Sequence, residues 1–186
     1  MFINGAILIL AGGQSRRMGF DKAQLPIAST TLLDWQRDRL AALGLPIWHS
    51  GPDGIEDEWP DFRGPLAGIY SAVQQQPGVA FWVLVPVDMP ALPLSALRPL
   101  IESVQQTFRP VAYQDTPFPL AVPNTEAVVS ALDLCLNRPG GRKSIRAFMT
   151  LSEGNWLPSP LTDDDTLNIN TPDDWAEFLR TLGGSQ

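Results

Sequence analysis

Gly5-Ala-Ile-Leu-Ile-Leu-Ala-Gly-Gly-Gln-Ser-Arg-Arg-Met-Gly-Phe-Asp-Lys22 decides how the rest of the chain is read. Its first six residues are a continuous apolar run, the pattern of a strand buried on both faces. The next twelve pack Gly12, Gly13, Gly19, Arg16, Arg17 and Lys22 into one loop. Glycines let backbone N–H groups approach an anion, and successive N–H groups form an anion-binding concavity. A phosphate-bearing ligand accounts for this composition; a Gly-rich turn with solvated arginines is the alternative. The glycine spacing fits neither the Walker A loop nor the dinucleotide fingerprint.

The loop is a local exception in an acidic chain. The 186 residues carry 13 Lys and Arg against 20 Asp and Glu, a net charge of −7. Bulk charge therefore argues against nucleic acid and acidic membranes as partners, and an anionic ligand needs a local basic patch. The two lysines, Lys22 and Lys143, each lie in a Gly/Arg-rich segment. Hydrophobic residues at 44% and charged residues at 18% match an ordinary globular domain rather than a disordered chain. A single cysteine, Cys135, excludes an intrachain disulfide framework, and a single histidine, His49, excludes a His-rich metal site. No apolar stretch is long enough to span a bilayer. No Lys or Arg precedes the first apolar run, so it reads as a strand and not as a signal peptide, and the protein as cytoplasmic.

Outward from the loop, strands alternate with helices. Thr31 to Leu43 reads as a helix stopped by Gly44, and Pro46 to Trp48 as a short strand. Gly64 opens a helix with Pro65 in its first turn. Ala80 to Val85 is a second buried strand, which Pro86 ends, so that Asp88 stands just beyond its tip. Leu94 to Gln106 reads as helical, 111–114 and 118–122 as paired strands, and Asn124–Leu136 and Arg142–Leu151 as helices. Thr171, Pro172, Asp173 and Asp174 mark the start of a final helix, with Gly183 as its stop. The expected fold is a single three-layer α/β/α domain over residues 1–186, with a mostly parallel, Rossmann-like sheet. Ligands of such sheets bind beyond the carboxyl ends of the strands, where the opening loop and Asp88 both fall.

The stretch Leu10 to Lys22 resembles the signature loop of glycosyltransferase-A-like nucleotidyltransferases. Its ending, Arg17-Met-Gly-Phe-Asp-Lys22, is similar to that of the molybdenum cofactor guanylyltransferase family. Further blocks resemble that family in order: Ile55-Glu-Asp57, Gly64-Pro-Leu-Ala-Gly68, Pro86-Val-Asp-Met-Pro90 and Asn168-Ile-Asn-Thr-Pro172. The resemblance implies transfer of GMP from GTP to the phosphate of molybdopterin, with release of pyrophosphate. It also implies Mg2+ as cofactor, held by Asp88, and transient contact with proteins that deliver molybdopterin or mature molybdoenzymes.

On the nucleotide side the resemblance implies Leu10, Ala11, Gly12, Gly13, Lys22, His49, Asp57 and Asp88, with Lys22, Asp88 and Arg17 at the reacting phosphates. Asp57 also lies in an acidic run, Glu56-Asp57-Glu58, of a kind that is usually solvated. His49 or Ser50 stands where relatives can place an asparagine against the base. For the acceptor, Arg142 and Lys143, with Arg146 nearby, form a basic cluster suited to a phosphate; a charged helix face reads the same way. Asn168 and Asn170 alternate along an extended segment and can face a pterin together; a cap region leading to Thr171 is the alternative. A molybdopterin cytidylyltransferase or a sugar-phosphate nucleotidyltransferase would share the loop and Asp88. A nucleotide-binding regulator without turnover would have less need of both Lys22 and Asp88. Lys22→Ala is expected to slow catalysis and Arg16→Ala to do much less, which steady-state rates check; a larger loss in Arg16→Ala reverses the orientation assigned to the loop.

Overall fold

The apolar run Gly5–Leu10 forms β1, with Ala6 to Ile9 fully buried. It lies between two parallel neighbours, β4 (Ile47–His49) and β5 (Phe81–Pro86). β5 pairs antiparallel with β7 (Leu120–Pro123), which pairs antiparallel with β6 (Val111–Tyr113). β8 (Asn155–Leu157) closes the sheet, parallel to β6. The sheet order is β4-β1-β5-β7-β6-β8, so five of the six strands run one way and β7 opposes them. The computed structural model describes residues 4–11, 21–51, 53–58, 64–137 and 143–183.

Side chains alternate across a strand, so β1 and β5 feed two cores. Ile7, Ile9, Phe81, Val83 and Val85 face one layer, formed by α1 (Leu32–Leu40), α3 (Leu97–Thr107) and α6 (Pro172–Gly183). Ala6, Leu8, Trp82 and Leu84 face the other, formed by α2 (Pro65–Gln75), α4 (Glu126–Asn137) and α5 (Ile145–Leu151). Both faces are covered, which gives the expected three-layer α/β/α arrangement with a mostly parallel sheet. Cys135 is a buried thiol of the second core, its pKa raised by burial. No helix among the described residues is long and apolar enough to cross a membrane.

Several ends are set by local chemistry. Thr31 caps α1 by accepting from the Asp34 N–H, and a 3-10 turn at Ala41–Leu43 leads to Gly44 at φ +70°. α2 begins with Pro65 after Gly64, whose φ of +80° and ψ of −170° only glycine adopts without strain. Leu94–Ala96 is a 3-10 turn ahead of α3, and Ser144 caps α5, so that helix starts at Ile145 and not at Arg142 as the sequence led us to expect. Residues 138–142, Arg142 among them, lie outside the described residues. Three strands went unforeseen: β8, and the two-residue strands β2 (Pro26–Ile27) and β3 (Thr30–Thr31), which pair with each other. All are too short for a periodic pattern to register in sequence.

α6 starts with a reciprocal cap. The Thr171 hydroxyl accepts from the Asp174 N–H, while Asp174 Oδ2 accepts from the N–H groups of Asn170 and Thr171, each at 2.8 Å. The Asn170 N–H and then the Thr171 side chain hold the Asp174 carboxyl below its ordinary range, with a smaller pull from the Lys22 ammonium.

Gly64→Ala forces an L residue into a glycine conformation and is expected to cost about 1–3 kcal/mol of stability in urea unfolding. A group whose folded-state pKa is depressed stabilises fully above its unfolded pKa and loses that contribution as pH falls through the folded value. The stability gap between the wild type and Asp174→Asn should therefore be largest near neutrality and shrink below about pH 4, as unfolding curves across acid pH will record; a gap independent of pH removes the charge from the cap.

Candidate active site

The end of β1 and the end of β5 meet at one level. Leu10 pairs with Pro86, and the Val87 N–H donates to the Leu10 carbonyl at 3.1 Å across that last rung. Pro86 offers no N–H to continue a ladder, and the chain turns away through Val87 and Asp88. This places Asp88 at the carboxyl rim of the sheet, beside the exit of the opening loop.

Lys22 returns from that loop in a short 3-10 turn, Lys22–Gln24, which Asp21 caps by accepting from the Ala23 N–H at 3.0 Å. Its Nζ donates to Asp88 Oδ2 at 3.0 Å and to Asn170 Oδ1 at 2.9 Å. The side chains of Lys22 and Asp88 are 13% and 27% exposed, so the pair is screened from bulk water yet open on one side. The third member is held from behind. Ile169, fully buried, donates its N–H to the Asp88 carbonyl at 2.8 Å, and Asp174 takes the Asn170 N–H. The alternation Asn168-Ile169-Asn170 thus buries the isoleucine and exposes both asparagines.

Asn168 donates to the Thr166 carbonyl at 3.2 Å. The sequence reading grouped Asn168 and Asn170 with the basic cluster, apart from the opening loop. The structure instead brings Asn170 onto Lys22, the last residue of that loop's motif.

β4 ends at the same rim. Ser50 accepts the Ala11 N–H on its Oγ at 3.1 Å and donates its own N–H to the Ile9 carbonyl. The first amide after β1 is therefore engaged by Ser50, a contact that residue type alone did not single out. His49 is buried, and Arg37 Nη2 lies 3.2 Å from its Nδ1. A guanidinium only donates, so Nδ1 accepts and the ring proton sits on Nε2. Gly54 packs against that imidazole so closely that a Cβ there would stand 2.9 Å from Nε2 and 2.2 Å from the His49 carbonyl oxygen. Asp57 is exposed on a segment tied to α2, where Gln75 donates to the Glu56 carbonyl and the Glu58 N–H donates to Ser71.

The basic residues stand further along the rim. Lys143 is exposed ahead of α5. Arg146, one turn on, donates to the Gln114 carbonyl at 3.4 Å and covers the Trp156 ring at 5.5 Å. Gln114 follows β6, which is parallel to β5 and two strand spacings away, about 10 Å. Gly12, Gly13, Arg16, Arg17 and Arg142 lie outside the described residues.

The arrangement joins a cation, a carboxylate and an amide at the sheet rim, with a second basic group along the same edge. It suits a polyanion whose charged part must be neutralised while its two ends are held apart. Among the described residues no three His, Cys, Asp or Glu side chains gather to cage a metal.

Residues 7–153 match the model of the MobA-like NTP transferase domain family. The chain is 31% identical over 178 residues to the molybdenum cofactor guanylyltransferase of Xanthomonas euvesicatoria pv. vesicatoria, an alignment that covers 92% of this chain and 93% of that protein. It is 31% identical over 191 residues to the protein of the same name from Rhizobium leguminosarum bv. trifolii, covering 94% and 91%. Among solved structures, molybdopterin-guanine dinucleotide biosynthesis protein A from Archaeoglobus fulgidus superposes with a TM-score of 0.68 at 17% identity, over 96% of this chain and 99% of that one. A cytidylyltransferase from Leptospira borgpetersenii gives 0.73 at 14% identity, over 100% and 89%. These two likenesses speak for the fold, and the family match with its 31% identical relatives carries the assignment: the chain belongs to the MobA-like NTP transferase domain family.

Proposed function

We propose that the protein transfers GMP from GTP to the phosphate of molybdopterin and releases pyrophosphate, as the names of its relatives indicate. The observation that carries this reading is Lys22 Nζ held between Asp88 and Asn170 at the rim where β1 and β5 end. In the reaction, an acceptor phosphate oxygen forms a bond to the α-phosphorus of GTP, and the bond from that phosphorus to the bridging oxygen of the β-phosphate breaks. The electron pair leaves with pyrophosphate. Both reactants are anions, so neutralisation and alignment supply most of the catalysis.

Lys22 neutralises phosphate charge from its place beside Asp88. Asp88 fits Mg2+: it is a hard oxygen donor, partly exposed, and this ion typically takes one or two protein carboxylates and completes its shell with phosphate oxygens and water. When bound, Mg2+ polarises the phosphate oxygens and offsets the charge that accumulates as they meet. Asn170 orients the Lys22 ammonium.

His49, the last residue of β4, and Ser50, which follows it, are the candidates for contact with the base. Lys143 and Arg146 suit the acceptor phosphate, with Asn168 towards the pterin. The reaction calls for a cytoplasmic enzyme that meets the proteins delivering molybdopterin and those maturing molybdoenzymes.

Asp88→Asn preserves shape and removes charge, and turnover is expected to fall by about two decades or more, roughly 3 kcal/mol of transition-state stabilisation. Pyrophosphate release with GTP, CTP and ATP, each with and without molybdopterin, checks the reading. Release that prefers CTP assigns the protein as a cytidylyltransferase, and GTP binding without any release makes it a regulator.

A further inference from the structure

The turn that carries Asp88 is held from below by two side chains of α1. Gln36, 1% exposed, donates from Nε2 to the Val87 carbonyl at 2.7 Å and to the Pro86 carbonyl at 3.4 Å. Arg39, one turn on and so on the same face of the helix, donates through Nη1 to the Pro90 carbonyl and through Nη2 to the Leu92 carbonyl. Its guanidinium lies 4.9 Å over the Trp35 ring. The remaining carbonyls of the turn are also engaged: Asp88 by the Ile169 N–H and Met89 by the Leu92 N–H. Within the turn the Met89 N–H donates to the Pro86 carbonyl at 3.2 Å, whereas Pro86 and Pro90 contribute no N–H, so side chains of α1 supply the remaining support. Each carbonyl from residue 86 to residue 90 has a partner, and those of 86, 87 and 90 are reached from α1.

We propose that Gln36 and Arg39 are positioning residues for Asp88, fixing the peptide planes on either side of it so that its carboxylate meets a divalent cation bound with nucleotide. The inference rests on the reading of Asp88 as a metal ligand and extends it to residues that touch neither metal nor substrate. A buried amide with two carbonyl acceptors is an unusual choice if packing alone were required, because an aliphatic side chain fills the same volume without desolvating a polar group. Its two donors point at the two carbonyls immediately before Asp88, where a change in peptide orientation would re-aim the carboxylate. Outer-shell groups that orient a metal ligand commonly matter by about 10- to 100-fold in metal affinity.

The experiment titrates Mn2+ into the full-length protein with GTP, reading protein-bound Mn2+ by the enhancement of water-proton relaxation, with Mn2+ and GTP alone as the blank. GTP affinity without metal and thermal unfolding are measured on the same samples. Gln36→Met keeps length and removes both donors; Arg39→Met acts on the far side of the turn and supplies an independent variant if the first folds poorly. Tyr113→Phe is the control for a lost buried hydrogen bond, since the Tyr113 hydroxyl donates to the Ala96 carbonyl at 2.6 Å, outside the turn.

The expected result is Mn2+ affinity about tenfold weaker or more in both methionine variants, with metal-free GTP affinity unchanged and with Mn2+ affinity intact in Tyr113→Phe. Methionine variants that lose stability as Tyr113→Phe does, yet bind Mn2+ like the wild type, overturn the proposal. Asp88→Asn separates the two levels. If it loses Mn2+ while the methionine variants do not, the positioning role alone falls; if it binds Mn2+ like the wild type, the metal reading of Asp88 falls and takes this inference with it.

Discussion

Leu10 and Pro86 form the last rung of the β1–β5 ladder, and the Val87 N–H donates to the Leu10 carbonyl across it. That rung fixes the level at which two chain segments leave the sheet together, one into the glycine- and arginine-rich loop and one into the turn with Asp88. Parallel strands make this coincidence inevitable, because their carboxyl ends lie on the same rim. After Val87 the chain turns away through Asp88, so the two segments part at that level. Lys22, although 66 residues from Asp88 in sequence, then needs only the return of the loop to reach the carboxylate at 3.0 Å.

Charge is handled locally against an unfavourable background. The chain carries −7 overall, and Asp163, Asp164, Asp165, Asp173 and Asp174 lie in the segments flanking the two asparagines. A polyanionic ligand approaching such a surface meets repulsion unless cations stand where its phosphates arrive. The Lys22 ammonium is held by Asp88 and Asn170, and Asp174 is occupied with the backbone of Asn170 and Thr171. The Asp174 carboxylate thus serves as a helix cap. Lys143 and Arg146 add positive charge about two strands away along the rim.

α1 links parts of the site that the sheet alone does not connect. One face engages the Asp88 turn through Gln36 and Arg39. Trp35 meets Phe178 edge-on at 5.7 Å, and Phe178 in turn packs on Trp175. Through these rings α1 is packed against α6, whose first turn anchors Asn170. The carboxylate and the amide on either side of Lys22 are consequently seated on a common support, which favours a constant spacing between them.

Much of this was legible in the chain itself. Unbroken apolar runs at 5–10 and 80–85, proline after the second, and Thr171-Pro172-Asp173-Asp174 before the last helix specify their elements through local chemistry: burial, a missing N–H, and caps that satisfy orphan amides. The motifs around Lys22, Asp88 and Asn170 were visible for the same reason, since unusual residue types in fixed order stand out without any structure. Strand order was not legible, because β7 enters between β5 and β6 by long-range pairing that its four residues do not encode locally. Nor were β8 and the β2–β3 pair, which exist only because a neighbour supplies their hydrogen bonds. Gln36 and Arg39 looked like ordinary polar residues, and Ser50 was noted only as a possible base contact; what distinguishes them is the backbone group each one meets, and only the folded chain brings that group within reach. Local sequence determined the elements and the reactive residue types, whereas tertiary packing decided that Asn170 stands with Lys22, since contacts across 148 residues depend on how both cores close.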